Sequence, residues 1–211
     1  MTASPIVYIV DDDSSVRKAA SRLFRTSGFE VVTFESADEF LDYPLAPNAP
    51  ACVILDYQMP GRDGMQVQDE LAARNVELPI VFMTGHGNIP TTVNAMKKGA
   101  FDFLTKPVDN QLLVETVRNA IERYSHVLEK NSEQAQFRER VASLTKREHE
   151  VMLLVITGML NKQIAKQLGI TEATVKVHRG RMMEKTEIDS VAKLAVCCER
   201  AGISRAPKSS R

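Results

Sequence analysis

Cys52-Val53-Ile54-Leu55-Asp56 is an unbroken apolar run that ends in a single acid. The same pattern recurs along the first half of the chain. Ile6-Val7-Tyr8-Ile9-Val10 precedes the pair Asp11-Asp12, Ile80-Val81-Phe82-Met83 precedes Thr84, and Phe101-Asp102-Phe103-Leu104 comes shortly before Lys106-Pro107. Strands covered on both faces read as near-continuous apolar runs, because neither face can be polar. A polar residue at the carboxyl end of each such strand is delivered to one edge of the sheet, where open α/β sheets bind their ligands.

Between these runs lie helical patterns. Ser15 to Ser27 carries Val16, Ala20, Leu23 and Phe24 at helical spacing and stops at Gly28. Val31-Val32-Thr33-Phe34 is a further short strand, and Ser36 then opens a helix with Glu39 in capping-box register. Helices are expected at about 64–74, 89–98 and from Asn110 onward. Strands alternating with helices predict a doubly wound α/β fold with five parallel strands in the flavodoxin-like order.

The residue types at the strand ends suit one task. Mg²⁺, or Mn²⁺ in its place, takes oxygen ligands from one or two carboxylates, waters and a phosphate. Asp12 and Asp56 are the expected direct ligands, with Asp11 acting directly or through water. A bound cation offsets the mutual repulsion of three acids and keeps Asp56 ionised, and an ionised Asp56 can attack a phosphoryl donor to give an acyl phosphate. Lys106 would pair its charge with a phosphoryl oxygen and the Thr84 hydroxyl would hydrogen-bond to another. Any one of these residues alone is ordinarily a solvated strand-end side chain. Five in order, each after its own apolar run, point to a shared site. Asp13 and Asp63 read as solvated or capping residues, His86 as a rim histidine, and Met59-Pro60-Gly61 as the turn after Asp56.

On these residues the chain resembles a two-component response regulator, with a receiver domain followed by a LuxR-type helix-turn-helix domain in the FixJ/NarL manner. The resemblance covers about Pro5 to Gly202. It implies the backbone carbonyl of Gln58 as a third protein ligand to the metal, a cis peptide at Lys106-Pro107, and a phosphoryl lifetime influenced by Gln58 and His86. It also implies a switch in which Thr84 moves toward the phosphoryl group and Phe103 swings inward behind it; a static half-buried aromatic is the other reading of Phe103. The surface that changes would lie on the fourth helix, fifth strand and fifth helix, where two receivers could pair.

Composition fits two modules. The chain has 211 residues, 44% of them hydrophobic, and no net charge. Residues 1–120 carry 10 Lys+Arg against 16 Asp+Glu, whereas residues 121–211 carry 17 against 11. An acidic front and a basic back suggest a metal or regulatory module joined to a nucleic-acid module, with a merely solvated basic surface as the alternative. Cys52, Cys197 and Cys198 lack metal-ligand spacing and read as reduced thiols. No signal pattern or membrane-length apolar run is evident, so a soluble cytoplasmic protein is expected.

From Asn110 to Ser143 there is no Pro or Gly. Val117, Ile121, Tyr124 and Leu128 keep a heptad-like stripe that weakens and resumes in shifted phase at Phe137, Val141 and Leu144. A continuous linker helix, partly paired between subunits, is favoured over one that breaks near Asn131-Ser132. Beyond it, Thr145-Lys146-Arg147-Glu148 is a capping box for a helix ended by Gly158, and Asn161 is expected to cap a second helix through Gln167. Gly169 makes the turn, Thr171 caps a third helix from Glu172 to about Lys185, and Ser190 caps a fourth that stops at Gly202. Residues 161–180 form a helix-turn-helix unit with Gly in the turn. On the third helix Val175 and Met182 mark the core side, while Ala173, Lys176, Val177, Gly180 and Glu184 point outward. That face suits the major groove, where Lys contacts guanine and Val packs on a thymine methyl. His178, Arg179 and Arg181, with Thr171 and Thr174, suit phosphates. Gly180 stands where many relatives carry a longer side chain, which shifts specificity toward Lys176 and Val177.

The expected organisation is a receiver over 1–122, a helical linker over 123–142, a DNA-binding domain over 143–203 and a disordered tail over 204–211. The expected function is a transcriptional regulator, not an enzyme. Its activity would be phosphorylation-dependent, and activation is commoner than repression in the family. The partners would be a sensor histidine kinase, double-stranded promoter DNA, RNA polymerase and a second copy when phosphorylated. Two rivals are a constitutive DNA-binding protein whose receiver only dimerises and an aspartyl-phosphate hydrolase. The hydrolase is disfavoured because Asp56-Tyr57-Gln58-Met59 has no second acid two residues on.

Overall fold

The structure is a computed structural model that describes residues 4–46, 48–85 and 89–203. His86 and the expected tail over 204–211 lie outside the described residues. The chain divides into two compact units after Leu128.

The first unit alternates β1 (Ile6–Val10), α1 (Ser14–Thr26), β2 (Glu30–Phe34), α2 (Ala37–Asp42), β3 (Ala51–Asp56), α3 (Gly64–Ala73), β4 (Ile80–Thr84), α4 (Ile89–Lys97), β5 (Asp102–Thr105) and the start of α5 (Asn110–Ala142). Its five strands are all parallel in the order β2-β1-β3-β4-β5, which is the expected doubly wound sheet. Each face has its own core. Tyr8, Val10, Val53, Leu55 and Phe82 pack with Phe40, Met65, Val67 and Leu71 from α2 and α3. Val7, Ile9, Cys52, Ile54, Val81 and Met83 pack with Phe24 of α1 and Leu113, Val117 and Ile121 of α5. Helices on both sides are why β3 is buried at every position and why its sequence does not alternate.

Local signals set most helix starts. Asp13 caps α1, its carboxylate accepting from Ser15 N at 2.7 Å. Ser36 Oγ accepts from Glu39 N at 3.2 Å, and Asp63 forms a full capping box with Gln66. Cys52 lies fully buried, and burial drives its thiol pKa sharply upward.

The second unit holds the end of α5, then α6 (Lys146–Val155), α7 (Asn161–Leu168), α8 (Glu172–Thr186) and α9 (Val191–Arg200) around one core that includes Val151, Met152, Ile164, Val175, Met182 and Leu194. Thr145 and Glu148 form the expected box, and Thr171 and Ser190 cap α8 and α9. One cap is corrected. Leu160, not Asn161, is the N-cap of α7; its N–H donates to Gln163 Oε1 at 2.8 Å. The Asn161 Oδ1 is used instead by Arg179 Nη1, also at 2.8 Å.

The favoured continuous linker helix is present. α5 is one helix over Asn110–Ala142, but Val117 and Ile121 are spent in the first unit's core and Phe137 and Val141 in the second's. The shifted phase reflects two separate cores, and it leaves these residues covered within one chain.

Gly64 opens α3 against the end of β3. A Cβ at this position would lie 2.7 Å from Asp56 O and 2.9 Å from Phe82 Cε1, closer than contact allows. Gly64→Ala is expected to destabilise the first unit by about 1–3 kcal/mol, as overpacking does. This would be read as a lower urea midpoint with an unchanged slope, and an unchanged midpoint would show that the backbone yields freely there.

Candidate functional site

The first site lies at the carboxyl edge of the sheet. Register puts Val10 beside Leu55 and Asp56 beside Met83, so the residues that follow β1 meet those that end β3. One carboxylate oxygen from each of Asp11, Asp12 and Asp56 lies within 4.8 Å of the others. Asp11 is fully buried, Asp56 is 7% exposed and Asp12 faces solvent. Oxygen donors converging in this way fit a hard divalent cation.

Lys106 sits just past β5 and reaches into the cluster. Its Nζ donates to Asp11 Oδ2 at 2.6 Å and to Asp56 Oδ2 at 3.0 Å, and its N–H donates to Thr84 O at 2.7 Å. The Lys106–Pro107 peptide is cis, as the resemblance implied. Asp11 Oδ1 accepts from Asp13 N at 2.9 Å. Burial pushes the Asp56 pKa up; Lys106 opposes this through its hydrogen bond and charge, while Asp11 adds to it. Burial works to lower the Lys106 pKa, but the bonds and charges of Asp11 and Asp56 outweigh it and the net shift is upward.

Thr84 ends β4 with no exposed surface. Phe103 is half-buried, its ring 5.8 Å from that of Phe82 and 6.0 Å from that of Tyr57. The sequence reading missed Arg17, whose Nη1 donates to the carbonyls of Asp11 and Asp12 at 2.7 and 2.9 Å. Both partners are main-chain atoms, so no residue pattern announces the contact.

The second site is the outer face of α8. Val175 and Met182 have no exposed surface, while Ala173, Lys176, Val177, Gly180, Arg181 and Glu184 are exposed, as the helical wheel requires. Gly169 takes φ +65° in the turn ahead of α8, the left-handed conformation that favours glycine. Thr171 Oγ1 accepts from Thr174 N at 3.1 Å, and the two hydroxyls lie 2.8 Å apart. His178 and Arg179 are half-buried, and the His178 Nδ1 is buried without a partner.

Comparison with known proteins gives a family for each unit. Residues 7–118 match the response regulator receiver domain and residues 142–198 the luxR family of bacterial regulatory proteins. Nodulation protein W of Bradyrhizobium diazoefficiens is 45% identical over 199 residues, 94% of this chain and 87% of that protein. Transcriptional regulatory protein FixJ of the same species is 36% identical, over 96% of this chain and 98% of that protein. The solved structure of response regulator StyR has a TM-score of 0.83 at 43% identity and covers 94% of this chain and all of that one. Full-length FixJ has a TM-score of 0.56 at 35% identity, over 97% of this chain and all of that one.

The chain is a response regulator of the LuxR-type DNA-binding family. Family members of this kind are transcriptional regulators rather than enzymes, with a receiver that works with a sensor kinase and a second domain that binds DNA. Among the described residues no helix is long and apolar enough to cross a membrane.

Within this response regulator, the DNA-binding unit has a buried carboxylate of its own. Glu148 is 2% exposed; its Oε2 accepts from Lys185 Nζ at 2.7 Å and from Thr145 N at 2.9 Å. These contacts, Lys185 first, hold its pKa down at about 2 against an ordinary 4.5. A depressed carboxylate stabilises the fold above its unfolded pKa and loses that contribution as pH falls toward its folded pKa. The second unit is therefore expected to lose stability between about pH 4.5 and 2 through this residue. Denaturant midpoints for wild type and Glu148→Gln, compared at pH 7 and pH 3, should converge at the lower pH; a constant gap would exclude Glu148 from the acid sensitivity.

Proposed function

We propose that this protein is a cytoplasmic transcription factor, acting as an activator, whose receiver is phosphorylated on Asp56 by a sensor histidine kinase. The observation that carries the reading is the convergence of Asp11, Asp12 and Asp56 with the Lys106 ammonium bonded to two of them. Asp11, Asp12 and Asp56, with the Gln58 carbonyl, would hold Mg²⁺. When bound, the ion offsets negative charge on the transferring phosphoryl group.

In this reading an Asp56 oxygen attacks phosphorus, the bond to the donor's imidazole nitrogen breaks, and an acyl phosphate forms on Asp56. Lys106 already lies against Asp56, so it passes its charge to a phosphoryl oxygen with little movement. Thr84 is covered, so its hydroxyl meets the new group only by shifting, and Phe103 is placed to follow it inward. The added charge, about −1.5 to −2, then biases a two-state element. Pairing of two receivers would follow on the α4 face, where Ile89, Val93 and Met96 are exposed at helical spacing.

The paired protein would bind promoter DNA and act on RNA polymerase. Lys176 and Val177 would read bases, while Thr171, Thr174, His178, Arg179 and Arg181 would anchor phosphates. Arg179 contributes while also tied to Asn161, and His178 through its other ring nitrogen, since Nδ1 is buried.

Asp56→Asn tests the acceptor, since an amide is neither a nucleophile nor a good Mg²⁺ ligand. With acetyl phosphate and Mg²⁺, wild type should gain one phosphoryl group in the intact mass and shift toward dimer, and Asp56→Asn should do neither. Asp12→Ala should be labelled slowly. Equal labelling of wild type and Asp56→Asn would remove Asp56 from the role, and labelling without any change in oligomeric state would leave the receiver's part in pairing unsupported.

Base reading is tested separately. Lys176→Ala should relax preference at one operator base pair by roughly 1–3 kcal/mol. Arg181→Ala should weaken binding to all sequences alike and lower the salt slope by about one unit. Uniform loss across a randomised operator for both variants would make Lys176 an anchor only.

A further inference from the structure

Arg17 lies in the second turn of α1, and its side chain is only 17% exposed. Its Nη1 donates to two successive carbonyls, those of Asp11 and Asp12, and Nη2 lies 3.7 Å from Glu35 Oε2. The intervening segment is bonded at each step. Asp13 N donates to Asp11 Oδ1, Ser15 N donates to the Asp13 carboxylate, and Arg17 N donates to Asp13 O at 3.0 Å. Arg17 closes this loop onto the two residues from which the acidic side chains project.

Two carbonyls held on one guanidinium nitrogen fix the peptide planes that follow Asp11 and Asp12, and hence where each Cα–Cβ bond points. Without Arg17, those carbonyls would lose their donor beside three converging carboxylates, and the segment would have to reorder before a cation could be held. Groups that orient metal ligands typically set affinity by about 10–100-fold. Resting on the metal-centre reading above, we infer that Arg17 is a positioning residue for divalent-cation binding, acting through the main chain of Asp11 and Asp12.

The probe is Mn²⁺ alone, with the free ion counted by its electron paramagnetic resonance signal in titrations of the full-length protein. Arg17→Met is expected to raise the Mn²⁺ dissociation constant at least tenfold. In an Asp12→Asn background the same change should cost less than in the wild type, because the part of its route that runs through Asp12 is gone; a merely structural loss would be additive in both. Arg17→Lys keeps the charge but not the guanidinium geometry and is expected to bind at least threefold more weakly than wild type, which keeps the test open should Arg17→Met not fold. Wild-type affinity in either variant overturns the inference, as does an additive effect in the double variant. Absence of Mn²⁺ binding to the wild type itself would instead overturn the metal-centre reading, and the inference with it.

Discussion

The structure depends on three carboxylates gathered at one end of a parallel sheet with a single ammonium among them. Strand order makes this unavoidable. Because β1 and β3 are neighbours and Val10 pairs with Leu55, the next residue on one strand meets the next on the other. Isolated buried charges are strongly disfavoured, and a buried pair is tolerated only when its remaining oxygens are bonded. Asp11 satisfies that condition: one oxygen takes Lys106 and the other the Asp13 N–H. Asp56 does so less completely, with Lys106 at 3.0 Å and a long 3.4 Å contact from Gln58 N. The less well satisfied of the two buried acids is the one that would serve as nucleophile.

The DNA-binding unit solves a different problem, which is holding α8 rigid while leaving one face bare. Val175 and Met182 seat α8 in the core, Lys185 pins its end to the Glu148 cap of α6, and Arg179 ties its middle to Asn161 at the start of α7. The side chains left outward, Lys176, Val177 and Arg181, are free of that work. Rigid placement of this kind lets a few contacts discriminate bases, because little conformational entropy is lost when the groove is filled.

Much of this was legible in the residues because it rests on local or periodic signals. Covered sheet faces force continuous apolar runs, so the strands and their polar ends could be read directly. Caps at Ser36, Thr145, Thr171 and Ser190 follow from side-chain oxygens three residues ahead of their donors. Asn161 misled because a polar residue at a helix start is the usual cap, whereas here Gln163 reaches back to the Leu160 N–H and frees Asn161 for Arg179. The continuity of α5 was legible from its lack of Pro and Gly, whereas the shift in its stripe comes from one helix serving two cores, which spacing alone cannot tell from a partner helix. Arg17 was illegible since its partners are carbonyls, which every residue carries.

Under the proposed phosphorylation of Asp56, the same geometry would let the phosphoryl group act as a switch and not merely as a label. Lys106 is the only cation bonded to both buried acids among the described residues, and it is shared. A phosphoryl group adding about two negative charges competes for that ammonium, and Asp11 then loses its shortest partner. The deficit has to be met by something that moves. Thr84 ends the adjoining strand one residue past the partner of Asp56, and Lys106 N is bonded to its carbonyl, so a shift of one disturbs the other. Phe103 lies on β5 directly beside Phe82 in register and shares ring contacts with Tyr57, the residue after Asp56. Thr84 pairs in register with Thr105 at the end of β5, the edge strand against which α4 packs. A small displacement in a packed core is transmitted as a change between discrete arrangements, because dense packing does not deform continuously.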